Sequence, residues 1–230
     1  MTEKGVAPEL DLDRLLAHAR ALVGVELGEL ADRLGLAVPS SVAGSARWKG
    51  WAGQIVEREL GVEGGARGPD FVHLSLELKT VPVDAHLHPR ESTAVCQIDP
   101  IAIAAESWRT SAVREKLARV LFVAIARPAG SLGRAPGARR VSAVRLWTPS
   151  HDEDDLLRSD FELFVRGYFR RGRATAITGH LGVALQVRPK GRNAADLRDG
   201  YDEAGRPVRV PKTGFYLRPW FVDRLLRGAA

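Results

Sequence analysis

The residues best placed to do chemistry lie in Gly68–Thr80, where Asp70 is followed seven positions later by Glu77, an apolar spacer and Lys79. Two carboxylates can share a Mg²⁺ ion only if each brings an oxygen to about 2.1 Å from it. If residues 76–80 form a strand, Glu77 and Lys79 share a face with Cα atoms roughly 7 Å apart, and Leu76 and Leu78 turn the other way into a core. On one straight strand Asp70 would stand roughly 23 Å from Glu77, too far for a shared ligand. Two readings follow. The alternation of Val72, Leu74, Leu76 and Leu78 with His73, Ser75, Glu77 and Lys79 fits one half-buried strand carrying an ordinary Glu–Lys pair. Joint action of the carboxylates instead requires the chain to reverse around Val72–Ser75.

Elements must position these side chains. Leu12, Leu15, Leu16, Ala19 and Leu22, then Leu27, Leu30, Ala31 and Leu34, recur at helical spacing within residues 8–36, with Gly24 between two helices. After the break at Pro39-Ser40-Ser41, a third helix is expected from Trp48 to Leu60, stopped by Gly61. Glu57 and Glu59 fall in its last turns, where a carboxylate opposes the helix dipole, so one of them is a candidate for a further role. The Gly-rich connection Gly61–Pro69 leads into the Asp70 stretch.

Beyond it, Pro82–Glu91 reads as a loop; its His86 and His88 lack further metal ligands nearby. Residues 92–103 read as a strand, Ser111 as the cap of a short helix ending at Leu117, and Val120–Ile125 and Val141–Trp147 as strands. Arg127–Arg140 reads as a loop rich in Gly, Pro, Arg and Ala. Ser150 and Glu153 form a capping box for a helix through Tyr168, whose basic end, Arg170–Arg173, suits the dipole and phosphate alike. Leu181–Val187 and Phe215–Arg218 are expected strands, and Pro219 opens a final helix.

The whole sequence carries 34 Lys+Arg against 28 Asp+Glu, a net charge of +6, unevenly spread. Residues 165–230 hold 14 basic and 5 acidic side chains, net +9, and the rest is net −3. Such asymmetry suits an anionic polymer gripped mainly from one side. The content of 45% hydrophobic and 27% charged residues is that of an ordinary globular chain. No apolar run reaches the ~20 residues of a membrane span, and the first residues lack a signal-peptide core. A single cysteine, Cys96, fits a reducing cytoplasm and reads as a buried structural thiol.

The order Glu57, Pro69-Asp70, Glu77-Leu78-Lys79 resembles the PD-(D/E)XK nucleases. Further landmarks narrow the resemblance to the MutH family of methyl-directed mismatch-repair endonucleases. They are Lys49-Gly50-Trp51, Asp70-Phe71, Glu77-Leu78-Lys79-Thr80 with Val81-Pro82-Val83-Asp84, Val113-Arg114 with Lys116-Leu117 and Arg119-Val120-Leu121, Leu146-Trp147-Thr148-Pro149, Arg188-Pro189-Lys190 and Gly214-Phe215-Tyr216-Leu217. They run in the family's order across nearly the whole chain.

The resemblance implies an α/β restriction-endonuclease-like fold: one nuclease domain over residues 1–230, a mixed sheet flanked by helices. Two arms would enclose a DNA cleft, a catalytic one over 1–149 and a DNA-reading one over 150–230. It implies Asp70 and Glu77 as Mg²⁺ ligands, with the Leu78 carbonyl and Glu57 completing the shell, and Lys79 positioning the attacking water. Lys49 and Lys116 would contact phosphate, Arg188, Pro189 and Lys190 would read bases, and Tyr216 would sit beside the adenine whose methylation is sensed.

The implied activity is nicking of the unmethylated strand at hemimethylated GATC, leaving a 5′-phosphate and a 3′-hydroxyl. The implied partners are double-stranded DNA, MutL as activator and MutS indirectly, with the protein a cytoplasmic monomer and its final helix a lever or partner contact. One departure is Ala94, where relatives are expected to carry an aromatic. The rival functions are a type II restriction endonuclease of the same superfamily and a non-catalytic DNA-binding protein.

Overall fold

The computed structural model describes residues 12–39, 50–62, 68–126, 136–193 and 195–228. Its centre is strand β3 (Val120–Ala126), whose first six residues are all buried. A run apolar at every position is what a strand covered on both faces requires. β1 (Glu77–Val83) pairs with it in parallel, and β4 (Arg140–Trp147) pairs antiparallel on the other side, giving the order β1-β3-β4.

Alternate residues of this sheet feed two cores. Leu76, Leu78, Leu121, Val123 and Ile125 pack against the helices α1 (Leu12–Ala21), α2 (Leu27–Arg33) and α3 (Trp51–Glu59). Gly24, at φ 93°, separates α1 from α2 as expected. Val81, Val83, Val120, Phe122 and Ala124 pack on the opposite face. There they meet α5 (His151–Gly167), α6 (Pro219–Arg227) and a second, antiparallel sheet. That sheet has the order β2-β8-β5: β2 (Thr93–Gln97), β8 (Thr213–Leu217) and β5 (Leu185–Pro189). The result is the expected mixed α/β arrangement of sheets flanked by helices. Among the described residues no helix is long and apolar enough to cross a membrane.

Several expected boundaries shift, each for a local reason. The single strand over 72–79 is not formed. Val72–Leu74 is a 3₁₀ turn, Ser75 takes φ 48°, and Phe71 and Leu76 exchange backbone hydrogen bonds of 2.9 and 3.2 Å. The strand expected over 92–103 ends at Gln97, because the Asp99 carboxylate accepts the Ile101 and Ala102 N–H groups and turns the chain. β1 runs to Val83, so the following loop begins at Asp84. Arg140 already belongs to β4, and Pro136–Ala138 is a 3₁₀ turn.

Strand β5 starts at Leu185 rather than Leu181. A Cβ at Gly182 would lie 1.9 Å from the Leu185 carbonyl oxygen, so this tight turn, with φ +79°, needs glycine. The hairpin β6 (Leu197–Tyr201) and β7 (Pro207–Pro211) has no counterpart in the sequence reading. Its strands carry Arg, Asp, Gly and Pro, so neither shows a clean apolar alternation.

The capping signals hold. The Ser111 hydroxyl accepts the Arg114 N–H at the start of α4 (Ala112–Leu117), and Ser150 and Glu153 cap α5 reciprocally. Arg170 is used structurally, donating to the carbonyls of Ala104 and Glu106 at 2.6 and 3.1 Å. Its fork is thereby committed to backbone rather than offered to phosphate.

Candidate active site

β1 is an edge strand, and its free edge organises the site. The Glu77 N–H donates to the Arg119 carbonyl, toward β3. The N–H and C=O of the next residue, Leu78, therefore face away from β3. The reversal at Val72–Ser75 brings Asp70 back along this edge, where its Oδ2 accepts the Leu78 N–H at 2.8 Å. Arg119 fastens the turn by donating to the Leu74 carbonyl at 3.3 Å. Asp70, eight residues away in sequence, thus stands beside the Leu78 peptide, and of the two readings of this stretch the reversal is the one realised.

Glu77 is only 2% exposed. A buried carboxylate is costly unless its charge is met. Lys79, two residues along the same face, donates to Glu77 Oε1. Lys116 reaches in from α4 and donates to both Glu77 oxygens at 3.0 Å and to the Gly68 carbonyl at 2.8 Å. The site thus holds two ammonium groups on one carboxylate. Lys116 is closer to the centre than a peripheral phosphate contact would require. The sequence offered no signal for this, since only the packing of α4 beside β1 and β3 sets its reach.

Glu57 completes the group from α3. Gly53, one turn earlier, lets the helix approach β1: a Cβ there would lie 3.4 Å from Thr80 Oγ1 and 3.5 Å from Glu57 Oε1. Burial holds the Glu57 carboxyl above its ordinary pKa, with repulsion from Asp70 and Glu77 adding to the rise and Lys79 opposing it. Glu57 therefore shares the field of Asp70, Glu77 and Lys79. Glu59 turns elsewhere, to His18 at 3.2 Å.

Glu57, Asp70 and Glu77 offer oxygen donors, the kind that a hard divalent cation takes, so the donor chemistry fits Mg²⁺. They do not yet form a closed cage: among the described residues no group of three or more His, Cys, Asp or Glu stands ready-spaced to hold a metal. His86 and His88 belong to no such group. His88 instead contacts Asp223 at 3.0 Å and Arg227, tying its loop to α6.

The second set of expected residues lies on the β2-β8-β5 sheet. Tyr216 is flanked by Ala94 on β2 and Gln186 on β5, and Arg188 stands opposite Gly214. The Lys190 ammonium lies 5.9 Å from the centre of the Tyr216 ring. Gly214 makes this approach possible, because a Cβ there would fall 2.9 Å from Lys190 Cδ and 2.7 Å from the Cys96 carbonyl oxygen. Pro189 closes β5. Desolvation lowers the Lys190 pKa, and Lys79 and Lys116 push it the same way. Desolvation raises that of the Tyr216 phenol. Lys190 is thus within electrostatic reach of Lys79 and Lys116 at the β1 edge. Lys49 lies outside the described residues.

Cys96, on β2, is half-buried rather than fully buried as expected, and the partial burial still pushes its thiol up to about 11. About one thiol in a thousand is then ionised at pH 8, so alkylation should run more than tenfold slower than for a free cysteine. Iodoacetamide labelling between pH 8 and 11 measures this, with the rate rising as the thiol ionises. Labelling at the free-cysteine rate at pH 8 would show that this partial burial does not shield the thiol.

Comparison with known proteins identifies the family to which this chain belongs. The family model described as DNA mismatch repair enzyme MutH matches residues 62–160, which include Asp70, Glu77, Lys79 and Lys116. The DNA mismatch repair protein MutH of Haemophilus ducreyi is 39% identical over 215 residues, spanning 93% of this chain and 92% of that protein. The protein of that name from Yersinia enterocolitica is 38% identical over 222 residues, spanning 96% and 94%. That of Shewanella oneidensis is 35% identical over 224 residues, spanning 97% of each. With relatives of this identity aligned over nearly its whole length, the chain belongs to the MutH family of DNA mismatch repair enzymes.

Proposed function

We propose that this protein is a Mg²⁺-dependent endonuclease that nicks the unmethylated strand of hemimethylated GATC sites during mismatch repair. The observation that carries the reading is the meeting of Asp70 with the outward edge of β1, directly beside Glu77, Lys79 and Lys116. Asp70, Glu77, Glu57 and the outward-facing Leu78 carbonyl would hold the cation. Bound there, Mg²⁺ would supply Lewis-acid polarisation of the phosphate and acidify a water.

The protein's own groups do the remaining work. Lys79 holds the attacking water in line with the scissile phosphorus, and Lys116 neutralises a non-bridging phosphate oxygen as charge builds on it. The water gives up a proton to solvent as its oxygen bonds to phosphorus, and the bond to the 3′-oxygen breaks. The departing oxygen takes up a proton, leaving a 3′-hydroxyl and a 5′-phosphate.

Specificity is assigned to the other sheet. Arg188 and Lys190 donate to base edges in the major groove, as Arg and Lys do to guanine O6 and N7. An N6-methyl on adenine projects into that groove and would meet the Tyr216 ring. Tyr216→Ala should therefore nick fully methylated GATC at a rate within several-fold of unmethylated DNA, measured on end-labelled duplexes. Unchanged methylation discrimination would remove Tyr216 from this role.

MutL is the expected activator, following mismatch recognition by MutS, and a cytoplasmic monomer suffices for a single nick. The reading is tested by nicking assays in Mg²⁺ on unmethylated, hemimethylated and fully methylated GATC duplexes, with and without MutL. Cleavage of the first two, resistance of the third and stimulation by MutL are expected. Methylation-independent double-strand cleavage indifferent to MutL would favour a restriction enzyme instead.

A further inference from the structure

Ser92, the residue just before β2, is a junction that the reaction as described leaves unused. Its Oγ accepts from the Gln186 side-chain amide at 2.7 Å and from Arg188 at 3.1 Å. Gln186 is only 3% exposed, and Gln186 and Arg188 are i, i+2 neighbours on β5, so both project from one face of that strand.

To meet Ser92 they must cross β8, the middle strand, on the side where Tyr216 projects. Opposite Tyr216 on β2 stands Ala94, which presents only a methyl group. A hydroxyl oxygen has two lone pairs, and these two donors fill both. The buried Gln186 amide fixes the hydroxyl, and the hydroxyl in turn fixes one arm of the exposed Arg188 guanidinium. The rest of the guanidinium fork remains available to a base edge.

We propose that Ser92 is a positioning residue for sequence recognition: it pre-sets the Arg188 guanidinium for bidentate contact with a guanine. The inference rests on Arg188 reading a base. A long Arg side chain has much rotamer entropy to lose, and an arm held in advance reduces what is lost on binding.

The test compares Ser92→Ala, Ser92→Thr, Arg188→Ala and the double variant Ser92→Ala/Arg188→Ala. Nicking kcat and KM are measured on a GATC duplex and on duplexes with the guanine pair replaced. Ser92→Ala is expected to lose about tenfold in discrimination, the size of one charge-assisted hydrogen bond, with the loss in KM rather than kcat. Ser92→Thr, which keeps the hydroxyl, should recover most of it, and the double variant should be no worse than Arg188→Ala.

Full discrimination in Ser92→Ala beside lost discrimination in Arg188→Ala would overturn the positioning role while leaving the recognition reading intact. Full discrimination in Arg188→Ala would overturn the recognition reading and this inference with it. Equal losses in Ser92→Ala and Ser92→Thr, falling on kcat, would mark Ser92 as merely structural and also overturn the proposal.

Discussion

Lys79→Ala is expected to lower nicking at GATC by about 10³-fold while duplex binding stays within a few-fold of the parent, the typical scale for losing a preorganised charge at the reacting centre. The residue is almost enclosed, with a side-chain exposure of 17%, and donates to Glu77 beside the Leu78–Asp70 edge. Its removal leaves Lys116 on both oxygens of Glu77, so the buried carboxylate keeps a partner and the fold is retained.

Affinity for DNA rests largely on many phosphate contacts, and one lost charge alters it little. The net +9 of residues 165–230 suits a grip of that kind. Single-turnover cleavage together with fluorescence-anisotropy binding separates the two effects. Parallel loss of both would show that Lys79 acts in binding and contradict its placement at the water.

Asp160→Ala is the variant expected to harm the fold most. Asp160 is 4% exposed on α5, and its carboxylate accepts three successive backbone N–H groups: Val183 at 2.8 Å, Ala184 at 2.7 Å and Leu185 at 2.8 Å. These donors lie in the turn that launches β5, the strand carrying Gln186, Arg188 and Pro189. Alanine leaves them without that acceptor in a buried setting, at about 1–3 kcal/mol for each unsatisfied group.

A total near 3–5 kcal/mol is expected, equivalent to a fall of roughly 6–20 °C in melting temperature for a domain of this size. Asp160→Asn keeps one oxygen acceptor and should lie between the variant and the parent. Calorimetric melting measures both. An Asp160→Ala protein that melts with the parent would show that the turn is set by the Gly182 geometry alone.

The catalytic edge was partly legible in the sequence. The ExK spacing placed Glu77 and Lys79 on one face, and the demand that Asp70 share a ligand with Glu77 required a reversal at Val72–Ser75. Yet the alternation of Val72, Leu74, Leu76 and Leu78 equally described a straight strand. What breaks that pattern is Ser75 in the left-handed region, a conformation residue type alone does not announce. Val72 accordingly points outward at 65% exposure instead of joining the core.

Helices were the clearest elements, because α1, α2, α5 and α6 have strong apolar periodicity or caps. The β6–β7 hairpin escaped notice because its strands are largely exposed and carry charged side chains. Long-range partners were invisible for a different reason. The Lys116 contact with Glu77 spans 39 residues and the Gln186 contact with Ser92 spans 94, and neither leaves a local pattern.

Mn²⁺ titration followed by electron paramagnetic resonance reports on cation binding at the outer edge of β1. The titration is made on the protein with a GATC duplex whose scissile phosphate is replaced by an uncleavable analogue. The parent should bind Mn²⁺ saturably, with binding weakened at least tenfold in both Asp70→Asn and Glu77→Gln, each of which removes the negative charge of one proposed oxygen donor. Mn²⁺ binding equal to the parent in both variants would place the metal elsewhere and contradict the account.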